Sequence, residues 1–344
     1  MKKMRRFLSV VLGAAFAATA AFGGINAYAA GDGWQNESGG WCYYMGGQKA
    51  TGWLNDGGTW YYLDSKGNMK TGWFEEGGVW YYANGSGAMQ TGWVSDGDWY
   101  YLDSSGAMLA NSWCKIDGYW YYFGKSGAMQ TGWVNDGGDW YYLTSGGYMR
   151  RGWVKDGSDY YYLDRTTGVM QMSKTVNGIK IGSNGAAEKT SYSNEKLPVM
   201  SRAADVVETI TSPDDSLSEK QAACYDWVAD FPYMLRDYPI GDYYNSGKWH
   251  CYDAHYADNI LNSSGTLTQP GTECVGEAAA LGYLFTELNF GTVYLEHSDV
   301  HGWIEVNGLL WDPLNHEAKK DSKNWLGITP TEYERPTSYH WVEI

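Results

Sequence analysis

Basic charge is scarce in this 344-residue sequence: Lys and Arg number 25 against 40 Asp and Glu, a formal net charge of −15 at pH 7. All four charges before residue 31 are basic (Lys2, Lys3, Arg5, Arg6), so the remainder is more acidic still. A surface of that sign repels phosphate backbones and anionic lipid, which argues against a nucleic-acid partner. Long apolar runs are scarce too. Only residues 7–22 (FLSVVLGAAFAATAAF) approach one, so the sequence does not read as a membrane protein. Neither a CxxC nor an HExxH pattern occurs, and no metal site or cofactor is expected. Cysteine is limited to Cys42, Cys114, Cys224, Cys251 and Cys274. What the chain has in quantity is Gly (45), Trp (19) and Tyr (30), with aromatics at 17% of residues. Disordered chains are poor in aromatics, so this composition points to repeated aromatic hairpins.

The N-terminus reads as a targeting segment. Residues 1–6 are basic, residues 7–22 apolar, and Ala27-Tyr28-Ala29 places small residues at the −3 and −1 positions. This is the pattern of a signal peptide over residues 1–29, cut after Ala29 and leaving no transmembrane anchor. An uncleaved anchor is the alternative, because the apolar run approaches spanning length. Either way the rest of the chain is outside the cytoplasm. An odd number of cysteines there implies at least one thiol that is free or pairs with another molecule.

Residues 30–187 form an array. Trp53, Trp73, Trp93, Trp113, Trp133 and Trp153 recur every 20 residues, each preceded by Gly except Trp113, which follows Ser112. A polar, Gly-containing turn and an aromatic triplet follow each, as in Trp60-Tyr61-Tyr62, Trp80-Tyr81-Tyr82 and Trp140-Tyr141-Tyr142. A Gly-x-Met element, such as Gly87-Ala88-Met89, closes each unit. Two aromatic strands around a turn make a β-hairpin. One such hairpin cannot bury its own aromatic face, so the units must stack into a solenoid. The first unit (Trp34 to Tyr44) and the last (Val176 to Ala187) are irregular, as caps should be. Thirteen of the 19 Trp lie in this array, more aromatic area than so thin a fold can hide. Exposed aromatic faces at repeat junctions suit quaternary ammonium ions, and equally the apolar faces of sugars.

The pattern Gly-Trp-x4-Gly-x-Trp-Tyr-Tyr-x5-Gly-x-Met, as in Gly72-Trp73 through Met89, resembles the choline-binding cell-wall repeats of Gram-positive surface proteins. That resemblance implies ligand sites between consecutive hairpins, lined by the Gly-Trp indole, the first aromatic of the triplet, an aromatic of the next hairpin and often the Met. The residues it designates are Trp53, Trp60, Trp73, Trp80, Trp93, Trp99, Trp133 and Trp140. It makes sites at Trp113 and at Tyr160, which replaces the triplet Trp, doubtful. The implied partner is choline-decorated teichoic acid or another wall polymer; related repeats bind sugars, so carbohydrate stays open.

From Glu188 to Val199 (EKTSYSNEKLPV) no repeat unit occurs, and the stretch reads as a linker. Residues 200–344 are long enough for one globular core. Met200–Thr211 carries apolar residues at helical spacing, and Ser216-x-x-Glu219 is a capping box opening a helix through Ala229. Phe231–Asn262 is not assigned. Cys274–Asn289 reads as another helix, with two strands after it. Cys274 thus opens a helix, where the dipole favours a thiolate nucleophile; a buried structural cysteine is the competing reading. In the strand His301–Val306, the turn Asn307-Gly308 and the returning Leu309–Pro313, a two-residue turn pairs positions summing to 615. His301 and Asp312 then sit diagonally on one face, close enough for the carboxylate to orient the imidazole. Trp249, His250, His255 and Tyr256 are candidates for a second oxyanion donor. His297 lies four residues before His301 along what reads as one strand, too far for a shared metal. Whether Cys224 and Cys251 pair is left open.

Gly271-Thr272-Glu273-Cys274-Val275-Gly276-Glu277-Ala278, His301-Gly302-Trp303-Ile304-Glu305-Val306 and Asp312-Pro313 resemble the nucleophile motif, His-Ala-Trp-x-Glu-Val strand and Asp-Pro ending of the transglutaminase-like superfamily. Two departures are the spacing before Cys274 and Gly302 in place of Ala. The resemblance implies an α+β, papain-like domain with Cys274 as nucleophile, His301 as base and then acid, and Asp312 as orienter. The expectation is therefore a multidomain protein: a β-hairpin solenoid of about 20-residue repeats, then a transglutaminase-like domain. It would be secreted and wall-bound, transferring an acyl group from a carboxamide or peptide carbonyl of a protein or peptide substrate. Crosslinking and protease or amidase outcomes both stay open. The alternative is a non-catalytic surface adhesin or scaffold.

Overall fold

The computed structural model describes residues 31–231, 252–261, 274–298, 301–313 and 340–344. The expected signal peptide lies outside them. Seventeen strands, β1 (Gly33–Glu37) to β17 (Ile179–Ile181), form eight antiparallel hairpin sheets, the first with a short third strand. The pleat explains the sequence pattern, because alternate residues point to opposite faces. In the hairpin Gly72–Ala83, Trp73 pairs with Tyr82, Phe74 with Tyr81 and Glu75 with Trp80. Phe74, Tyr81 and Ala83 are therefore on one face and buried; Trp73 and Trp80 are on the other. Trp53 of the preceding hairpin packs on that buried face, 4.7 Å from Tyr81 and 5.7 Å from Phe74 between ring centroids. This hairpin's core is thus completed by its neighbour, as units this short require. Gly87 shows why the closing element needs glycine: its φ is +81°, and a Cβ there would lie 2.2 Å from Met69 Sδ.

The described chain divides into two compact units. One comprises the described residues up to Ile116 with Trp120–Gln130; the other comprises Asp117–Tyr119 with Thr131–Ile344. The expected boundary at 188–199 therefore needs correction. That stretch is no linker, because helix α1 runs Ser191–Ile210, capped by Thr190 with a reciprocal bond to Ser193. The polar residues that resemble a linker are a helix cap and a buried ion pair, Lys196 with Asp253, while Leu197, Val199 and Met200 are buried. The last two hairpins share this core. Trp153, Tyr162, Ile179 and Ile181 pack with Leu197, Met200 and Ala203. Arg150 bridges to Asp205 at 2.5 Å and to Glu208, and Arg165 bridges to Glu287 at 3.0 Å.

Helix α2 (Leu217–Ala229) opens on the Ser216/Glu219 capping box. Helix α3 (Tyr252–Leu261) occupies part of the unassigned stretch, and α4 (Cys274–Glu287) is buried on every side. Strands β18 (Val293–His297), β19 (Gly302–Val306), β20 (Leu309–Trp311) and β21 (His340–Glu343) make an antiparallel sheet in the order β20-β19-β18-β21. His297 and His301 are not on one strand: His297 ends β18 and pairs with Gly302, and the Ser298 N–H donates to the His301 carbonyl at 2.8 Å.

Candidate functional site

The exposed aromatics of the array recur in one arrangement. Trp53 and Trp60 stand nearly perpendicular, 6.4 Å apart at 83°, with Tyr81 of the next hairpin 4.7 Å from Trp53. The Met89 N–H donates to the Trp60 carbonyl at 2.8 Å, which ties the closing Met of that hairpin to the same junction. Trp93, Trp99, Tyr121 and Met129 repeat the set, with the indoles 6.2 Å apart at 86° and Tyr121 at 5.0 Å. Trp133, Trp140, Tyr161 and Met170 do so again, at 6.4 Å, 80° and 4.8 Å. Trp73 meets Tyr100 at 4.8 Å, and Met108 is bonded through its N–H to Trp80. Trp60, Trp80, Trp99 and Trp140 are each exposed by 38% or more, although large apolar rings are normally covered. Perpendicular π faces open to solvent form a three-walled cage for a cation that lacks hydrogen-bond donors.

The indole N–H groups set the ring angles. Trp73 donates to Asp96 at 3.0 Å and Trp133 to Asp156 at 2.9 Å. At the Trp53 junction the corresponding acid is Glu76, whose longer side chain accepts from the Tyr62 hydroxyl instead. The Trp53 N–H is left with no hydrogen-bond partner among the described residues. Sequence reasoning missed one cage. Trp41 is 45% exposed, Met69 donates its N–H to the Trp41 carbonyl at 2.7 Å, and Tyr61 lies 4.7 Å from Trp34. The available signal was the seven-residue step from Trp34 to Trp41, the same as from Trp53 to Trp60. At the other end the arrangement closes, since Trp153 is wholly buried and Tyr160 packs against the helical core.

The second constellation is built by α4 and the β19–β20 hairpin. Ile304 pairs with Trp311 and Val306 with Leu309, a two-residue turn with Asn307 at φ +54°. His301 precedes β19 and Asp312 follows β20, and His301 Nε2 lies 2.7 Å from Asp312 Oδ2. Asp312 is fully buried, and the Tyr225 hydroxyl from α2 donates to its backbone carbonyl at 3.1 Å. Cys274, the first residue of α4, is hydrogen-bonded to His301. With Nε2 on the carboxylate, Nδ1 is the nitrogen available to the thiol. Burial works against a charged imidazole here, but the bonds to Asp312 and Cys274 outweigh it and push the His301 pKa up to about 10. The substitution of Gly302 for the usual Ala has a steric reason. A Cβ at 302 would lie 2.7 Å from Val275 Cγ2 and 3.0 Å from its Cα, so glycine lets the first turn of α4 sit directly on β19.

The other thiols differ. Cys224 has no disulfide partner among the described residues, is wholly buried, and burial pushes its pKa up to about 12. Cys42 is buried and Cys114 half-buried. Cys251, Trp249 and His250 lie outside the described residues, while His255 and Tyr256 fall on α3.

Residues 50–89, 70–113, 110–146 and 130–175 match the choline-binding repeat family. Among solved structures, the chain is 41% identical to CbpJ from Streptococcus pneumoniae TIGR4, over 46% of this chain and 58% of that one, with a TM-score of 0.43. It is 38% identical to choline binding protein F from Streptococcus pneumoniae, again over 46% and 58%, TM-score 0.43. The choline-binding domain of CbpL from Streptococcus pneumoniae is 30% identical and 99% covered, by 47% of this chain, TM-score 0.37. The chain thus spans less than two thirds of the first two relatives. No curated protein matches it.

Proposed function

Because residues 50–175 are choline-binding repeats, we propose that this protein is held at the cell surface by choline-bearing wall polymer and that its C-terminal domain is a thiol acyl-transfer enzyme. The cages at Trp53/Trp60, Trp73/Trp80, Trp93/Trp99 and Trp133/Trp140 take trimethylammonium groups by cation–π attraction. Each is weak alone; the array gains retention from several acting on one polymer. None of the described helices is long and apolar enough to cross a membrane, and the repeats supply attachment in this reading.

The observation that carries the enzymatic half is the His301–Asp312 bond of 2.7 Å with Cys274 hydrogen-bonded to the same imidazole. Cys274 passes its proton to His301, and the thiolate attacks the carbonyl carbon of a carboxamide or peptide. The resulting tetrahedral oxyanion collapses, the C–N bond breaks, and His301 returns the proton to the departing amine. The thioester is then resolved by an amine, giving a crosslink, or by water, giving hydrolysis. Asp312 holds the imidazole tautomer through both steps.

The test is ammonia release from glutamine-containing peptides with and without a primary amine. Cys274→Ala and His301→Ala should each abolish turnover, and Asp312→Asn should cost severely; combined changes should add little. Amine-dependent release marks a transglutaminase, and release of a peptide fragment marks a protease. Wild-type turnover in His301→Ala or Asp312→Asn would sink the assignment.

A further inference from the structure

The motif that contains His301 also holds Trp303, to which the triad gives no role. Trp303 is wholly buried and shares the His301 face by strand alternation. The two ring centroids are 6.0 Å apart with 32° between their planes. This is a tilted ring contact, at about the distance over which an aromatic ring attracts a cation. The indole N–H donates to Glu296 Oε2 at 2.5 Å, across the β18–β19 pair Glu296↔Trp303. Glu296 is itself 5% exposed. A carboxylate on the indole N–H fixes the ring's orientation and enriches the face turned to the imidazole. Among the described residues, the other groups on the His301 ring are Asp312 and the Cys274 thiol; the Tyr225 hydroxyl reaches the Asp312 carbonyl, not the ring.

We propose that Trp303, fixed by Glu296, is a positioning residue that holds the His301 imidazole in plane and favours its protonated form. The inference rests on the Cys274–His301–Asp312 reading. The protonated imidazole is the species that delivers a proton to the departing amine, so a contact favouring it acts on the step that breaks the C–N bond.

The experiment is an NMR titration of the His301 imidazole C–H in the full chain, the resonance identified by its loss in His301→Ala. The bonds to Asp312 and Cys274 push this proton's loss up to about pH 10, where the wild type is expected to titrate. Glu296→Gln keeps the size and an acceptor for the indole but removes the charge; Trp303→Phe keeps a ring but removes the N–H. Each should weaken proton binding at His301 about fivefold, and the alkaline limb of kcat should move down in pH by the same factor with KM held. Two variants that titrate like a wild type near pH 10 would overturn the proposal and leave the triad intact. A wild-type His301 that titrates at its ordinary value would overturn both. Should Trp303→Phe fail to fold, Glu296→Gln decides alone, because it changes almost no volume.

Discussion

Replacing Trp153 with Ala separates two jobs done by one position of the repeat. Trp153 and Trp133 occupy equivalent places in successive hairpins, yet Trp153 is wholly buried in the core with Ile179, Leu197 and Met200. Its ring meets Tyr162 at 5.2 Å, and its N–H donates to Asn177 Oδ1 at 3.2 Å. Truncating a buried Trp to Ala costs about 3–5 kcal/mol. In a unit the size of residues 131–344, each kcal/mol lowers the melting midpoint by about 2–4 °C, so Tm should fall by about 6–20 °C. Trp133 is a half-buried wall of a cage, and Trp133→Ala should lower Tm far less while weakening retention on a choline resin. Thermal unfolding followed by near-UV circular dichroism, in parallel with the resin assay, reads both effects. Because Trp153 lies in the core that also contains Cys274, its loss should disturb labelling of that thiol as well. Equal midpoints for the two variants would refute the shared core and restore an independent array ending near residue 187.

Three further outcomes are expected. The full chain should bind a choline resin and elute with free choline, and Trp73→Ala with Trp80→Ala should weaken but not abolish retention; retention on a glucan column alone would move the ligand to sugar. Cys274 should be alkylated by iodoacetamide far faster than Cys224, whose thiol is pushed up to about 12 by burial, and Cys274→Ser should remove the fast phase; uniform slow labelling would return Cys274 to a structural role. The His301 pKa is raised from 6.5 to about 10, so its contribution to stability is full below pH 6.5 and is lost as pH rises through 10. Melting of the wild type should fall over that window, and Asp312→Asn should flatten the slope.

The repeats were legible because each unit spells its own hairpin in local letters and one period copies the next. The His301–Asp312 pairing was legible for a similar reason: Asn307-Gly308 sets a two-residue turn, and the turn sets the register. What escaped depends on partners distant in sequence. Lys196 reads as solvent-facing until Asp253, 57 residues on, accounts for its burial. Thr190 and Ser193 read as loop formers, yet here they cap a helix. Trp41 was hidden because Cys42 interrupts its aromatic triplet, so the unit looked like an irregular cap. Strand β18 was missed as well; its register with β19 and β21 forms across the sheet.

Every cage in the array takes its walls from two hairpins, one giving both indoles and the next giving the tyrosine and the Met tie, as Trp53 and Trp60 do with Tyr81 and Met89. A headgroup bound there would be a rivet as well as a ligand, and peeling one hairpin from its neighbour would mean expelling it. A solenoid is only as strong under tension as its weakest junction, and occupancy adds the ligand's binding free energy at each loaded one. On the proposed reading, the loaded array would resist pulling and proteolytic nicking at junctions where the empty one yields, so a wall that held the protein would also harden the part it holds.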